Sequence, residues 1–143
     1  MDMSEEDPGP EATEPDRGPV TVAQDLFPLP GASLVAREVV TEACMRWGLP
    51  DAVAPASLIV SELVANVVDH AHTSMTLEIA LRPGRLLISM RDGSRVPPML
   101  RRDTTAPSAR GRGLLLIEAV SADWGYRLDA AGKTVWTALE IIT

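Results

Sequence analysis

A chain of 143 residues and 15.3 kDa has room for one domain with a sizeable core and cramps two. Apolar residues make up 45% of it, which excludes a wholly disordered protein. A net charge of −7 excludes a protein that holds nucleic acid by bulk electrostatics, because neutralising phosphates needs a basic surface. The acidity is uneven. Residues 1–19 carry Asp2, Glu5, Glu6, Asp7, Glu11, Glu14 and Asp16 against Arg17 alone, while acids and bases nearly balance over the rest. A single cysteine, Cys44, rules out an intramolecular disulfide and reads as a small buried hydrophobe. No signal-peptide pattern opens the chain, and no uninterrupted apolar run approaches the ~20 residues of a membrane span. The expected location is the cytoplasm, away from membranes.

The first segment, residues 1–19, is acidic and holds Pro8, Pro10, Pro15 and Pro19 with little that is large and apolar. Such a composition cannot offset its ordering entropy by burial, so the reading is a disordered tail before a domain at 20–143. Val20–Leu29 reads as an edge strand bounded by Pro28 and Pro30. Leu34, Val35, Val39, Val40, Ala43, Cys44 and Trp47 recur at helical spacing, and Gly48 and Pro50 stop that helix. A second helix is expected from about Asp51, a candidate N-cap, with an apolar stripe of Ala56, Ile59, Val60, Leu63, Val64, Val67, Val68 and Ala71.

The period then changes from 3.6 to 2. Met75, Leu77, Ile79 and Leu81 alternate with polar or small residues, Pro83-Gly84 turns the chain, and Leu86–Arg91 returns as a second strand. Residues 93–110 have three prolines, four arginines and no period, which suits a functional loop. Leu114–Ala122 reads as a third helix, and Gly125–Leu128 with Thr134–Ile142 as a closing hairpin. Strands and helices are segregated, so the expected class is α+β, a two-layer sandwich with a mostly antiparallel sheet and helices on one face.

Three places could carry chemistry. Glu62, Asn66 and His70 fall at i, i+4 and i+8 on one edge of the second helix. A carboxylate there can accept a proton, and an amide oxygen can ligate Mg²⁺. The spacing alone equally describes a solvated helix edge. Asp92 closes the second hairpin strand before Gly93, as a turn carboxylate or as an acceptor for an exocyclic amine. Arg110-Gly111-Arg112-Gly113-Leu114 runs into a helix, where close backbone approach and free N–H groups suit phosphates. Neither a Walker A loop nor the dinucleotide fingerprint is present, and His70, His72 and Cys44 do not make a zinc site.

The order of these elements resembles the N, G1 and G2 boxes of the histidine-kinase-like ATPase family with the Bergerat (GHKL) fold. Ser61-Glu62-Leu63-Val64-Ala65-Asn66, Gly111–Leu114, Trp124-Gly125 and Gly132-Lys133-Thr134-Val135-Trp136 look most like its bacterial branch of anti-sigma-factor serine/threonine kinases. The resemblance spans about residues 25–142. It implies ATP and Mg²⁺ as cofactors, with Asn66 on the metal, Glu62 as the general base toward a seryl or threonyl hydroxyl, and Asp92 on the adenine amino group. It also implies Gly111, Arg112, Gly113 and Leu114 around the phosphates. Implied partners are a sigma factor, an anti-sigma-antagonist protein and a second copy in a homodimer. One departure stands out. The family's Asp-x-Gly-x-Gly is here Asp92-Gly93-Ser94-Arg95-Val96, which keeps open an alternative, a non-catalytic nucleotide-binding switch acting through protein contacts.

Overall fold

A computed structural model describes residues 6–12, 14–15, 18, 22–101 and 113–142. In chain order these form β1 (Glu6–Pro8), β2 (Val22–Leu26), α1 (Ala32–Arg46), α2 (Val53–Asn66), β3 (Met75–Arg82), β4 (Arg85–Asp92), β5 (Met99–Arg101), α3 (Gly113–Val120), β6 (Asp123–Asp129) and β7 (Gly132–Glu140). A 3₁₀ turn, Pro50–Ala52, precedes α2, and a π turn, Val67–Ala71, continues it.

Five strands pair in the order β2-β3-β4-β7-β6, antiparallel throughout, and β1 pairs with β5 in a separate ribbon. The alternation read from the sequence explains which face packs. Met75, Leu77 and Ile79 of β3 and Leu86, Ile88 and Met90 of β4 are buried, and they join Ala56, Ile59, Val60, Leu63 and Val64 of α2 in one core. Helices α1 and α2 pack on each other, and α3 packs on α2. The α+β sandwich is therefore as expected. Pro50–Ala71 is long and apolar enough to cross a membrane by length and composition, with a mean hydropathy of 1.5. Its apolar stripe is committed here to α1, α3 and the sheet.

Several local expectations shift. The Asp51 side chain makes no cap, and α2 instead grows out of the 3₁₀ turn behind Ala52. The long loop contains β5. In the acidic segment, Glu6–Pro8 pair with Met99–Arg101 of β5, and Glu11 bridges Tyr126 at the outer edge of β6. Tyr126 donates its backbone N–H to the Pro10 carbonyl and accepts one from Ala12. Pro10 is tolerated there because only its carbonyl is used. The chain then turns onto the outer face of the sheet, where Trp136 Nε1 donates to the Ala12 carbonyl and Arg127 pairs with Glu14 at 3.2 Å. Gly9 lies so close to the Trp124 ring that a Cβ would collide with it. Backbone bonds to a strand edge and side-chain contacts from Trp136 and Arg127 both engage the segment.

Candidate functional site

Strand β4 ends on Asp92, and register places Lys133, the second residue of β7, directly opposite. Alternation puts both on the helix-facing side, continuing the Met90–Val135 pair. Both side chains are buried: Asp92 is 4% exposed and Lys133 5%. They form an ion pair, with Lys133 Nζ at 2.9 Å from Asp92 Oδ2 and 3.1 Å from Oδ1. Oδ1 also accepts the backbone N–H of Ser94 at 2.8 Å. Gly132 makes this approach feasible, since a Cβ there would run into the Asp92 carbonyl.

This buried pair lines the inner end of a cleft that is partly open to solvent. Its walls include Leu63, Asn66, Val67 and His70 from α2 and the π turn. Met90 and Val135 supply sheet surface, and Ser94, Val96, Pro97 and Pro98 close one side. Its lining is mostly apolar with a few convergent polar groups, the composition usual for small-molecule sites. Asn66 and Asp92, separated by a helix end and a hairpin, both line this cleft. His70 joins them at the exposed mouth. The π turn widens the helix after Asn66, and the His72 N–H bonds the Val67 carbonyl at 2.8 Å before the chain leaves in a left-handed conformation at His72 (φ 57°).

Glu62 sits one turn before Asn66, half-buried, and is not a wall of the cleft. Burial raises its carboxyl pKa above the ordinary value, which makes it a better proton acceptor near neutral pH. Just before it, Ser61 Oγ accepts from Arg37 Nη1 at 3.2 Å, and the same nitrogen bonds Ser33 Oγ, so α1 fixes this turn of α2. Gly113 and Leu114 open α3. Gly111 and Arg112 lie outside the described residues. Behind the floor, Arg91 grips Asp129 through both guanidinium nitrogens, one bond being 3.0 Å. This holds the Asp129 carboxyl well below the usual carboxylate range.

The described residues contain no cluster of three or more His, Cys, Asp or Glu that would hold a metal by protein ligands alone. Magnesium does not need one: it keeps several waters and takes one or two protein oxygens plus phosphates. Asn66, which lines the cleft and has an amide oxygen to offer, fits that donor set. Lys133 is the residue that the site reading missed. Its signal was present, a lone lysine in the helix-facing alternation with Val135, Thr137 and Leu139, but reading it needs the register of β4 and β7.

Residues 29–139 match the family model described as a histidine kinase-like ATPase domain. No curated protein matches the chain.

Proposed function

The chain belongs to the histidine kinase-like ATPase domain family, and from this premise we propose that it is a cytoplasmic regulatory kinase. It transfers the γ-phosphoryl group of Mg-ATP to a seryl or threonyl hydroxyl of an anti-sigma-antagonist protein. The observation that carries the reading is the convergence of Asn66 and Asp92 on one cleft, with the pKa-raised Glu62 one turn away.

Bound Mg-ATP supplies the phosphoryl group and the cation that neutralises its oxygens. The protein's own part is positioning and charge placement, as is general for phosphoryl transfer. Asp92 accepts from the exocyclic amine at the closed end. Asn66, at the α2 edge of the cleft, would hold the magnesium through its amide oxygen. Glu62 takes the proton from the attacking hydroxyl as the new P–O bond forms and the bond to ADP breaks. The chain at Gly111–Leu114 is assigned to the phosphates.

The test is transfer from γ-labelled Mg-ATP to a purified anti-sigma-antagonist protein of the same cell. Wild type should label the partner. Glu62→Gln should lower the rate by about 10²–10⁴-fold, the usual contribution of a general base, while ATP affinity stays within twofold. Equal transfer by both would remove Glu62 from the mechanism. The rate should also rise with pH through a carboxyl titration above the ordinary glutamate range. A non-catalytic switch is the second reading, favoured by the altered stretch Asp92-Gly93-Ser94-Arg95-Val96. It predicts nucleotide-dependent partner binding that survives Glu62→Gln, with no label transferred.

A further inference from the structure

We propose that Lys133 is a base-reading residue. It donates to the ring nitrogen N1 of adenine while Asp92 accepts from the neighbouring amino group. This rests on the reading of the cleft as an ATP site.

A buried lysine beside the acceptor carboxylate changes what the closed end presents. Asp92 Oδ1 already receives two donors, Ser94 N–H and Lys133 Nζ. Oδ2 receives Lys133 alone and keeps acceptor capacity. An ammonium has three donors, and the described residues engage it only through these two oxygens. One N–H therefore remains, next to an acceptor with a free lone pair, in a place shielded from water. A polar surface of one donor beside one acceptor matches a base edge of one acceptor beside one donor. This is the logic by which amide side chains read adenine.

The orientation follows from the cleft. Asp92 and Lys133 are buried, whereas Asn66 and His70 lie toward its more exposed mouth. Ribose and phosphates must leave by the mouth. The base edge at the floor is then the one farthest from the sugar, which carries the amino group and N1. An unpaired carboxylate would satisfy the amine alone. The pair reads both positions, and it lets a carboxylate sit at the floor without an isolated buried charge.

The experiment compares ATP with 1-deaza-ATP, which replaces N1 by C–H and keeps the amino group, using calorimetric titration of the full chain with magnesium present. 7-deaza-ATP is the control. Wild type should bind 1-deaza-ATP on the order of tenfold to a hundredfold more weakly than ATP, the value of a hydrogen bond to a charged group. It should bind 7-deaza-ATP like ATP. In Lys133→Met the preference for ATP over 1-deaza-ATP should collapse to about one. Lys133→Arg, which keeps a charged donor, should retain a preference, and it substitutes if Lys133→Met does not fold. Equal wild-type affinity for ATP and 1-deaza-ATP overturns the assignment while leaving the ATP site standing. So does a preference unchanged in Lys133→Met, or a loss with 7-deaza-ATP instead. Failure of wild type to bind ATP at all overturns the nucleotide reading, and this assignment with it.

Discussion

The two ends of the cleft are built differently. Its floor is sheet: Asp92 and Lys133 are cross-strand partners, both buried, joined by an ion pair and a backbone N–H from Ser94. Its mouth is the end of a helix, where Asn66 is half-exposed, His70 is exposed, and a π turn replaces regular α geometry. Neither Asn66 nor His70 hydrogen-bonds through its side chain to a described residue. The floor is therefore part of what holds the fold together, and the mouth is not. A substitution at the floor should cost stability and binding together. One at the mouth should cost binding alone.

The largest effect is expected at Gly132→Ala. The new Cβ would meet the Asp92 carbonyl and Gly93 Cα, backbone atoms that cannot swing aside. The β4–β7 pairing would have to shift at the floor, so the variant should lose folded protein altogether or unfold at much lower denaturant. A near-normal denaturation midpoint would show that the floor is not rigid. Asp92→Ala comes next. It strands the Lys133 ammonium in a buried site, at a cost of about 3–5 kcal/mol by chemical denaturation. The double change Asp92→Leu with Lys133→Met should recover most of that loss and still bind no ATP, which separates stability from recognition.

A smaller effect is expected behind the floor, at Asp129→Asn. Asp129 has a depressed pKa because of its contact with Arg91, so it stabilises the fold above the unfolded carboxylate range and loses that contribution as pH falls below it. Wild type should therefore lose melting temperature between about pH 5 and pH 2 more steeply than Asp129→Asn, and the two curves should converge at the acid end. Parallel curves would mean that the Arg91 contact contributes nothing in solution.

The parts legible in the sequence are those where side-chain periodicity meets burial. The stripe from Ala56 to Val64 on α2, the alternation from Met75 to Leu81 and the hairpin turn at Pro83-Gly84 lie where the spacing put them. The α+β class followed from their order. Asn66 and Asp92 were legible as polar residues at a helix edge and a strand end, and their meeting in one cleft was an expectation of the resemblance. What composition could not show depends on backbone or on register. The acidic segment is held by Pro10 and Ala12 against Tyr126, bonds that do not depend on side-chain type. Lys133 joined the site only through its pairing opposite Asp92. The π turn after Asn66 leaves no mark on a pattern of period 3.6 that runs straight through Val67, Val68 and Ala71.

The central claim is that this cleft holds Mg-ATP, and the melting temperature with and without nucleotide tests it most directly. At about 100 times its Kd, a ligand adds ~2.7 kcal/mol, which for a domain of this size is a shift of several degrees. Wild type should show that shift with Mg-ATP. Asn66→Ala, a change at the mouth, should melt within about a degree of wild type without nucleotide and lose most of the shift with it. No shift in wild type, or a full shift in Asn66→Ala, would contradict the account.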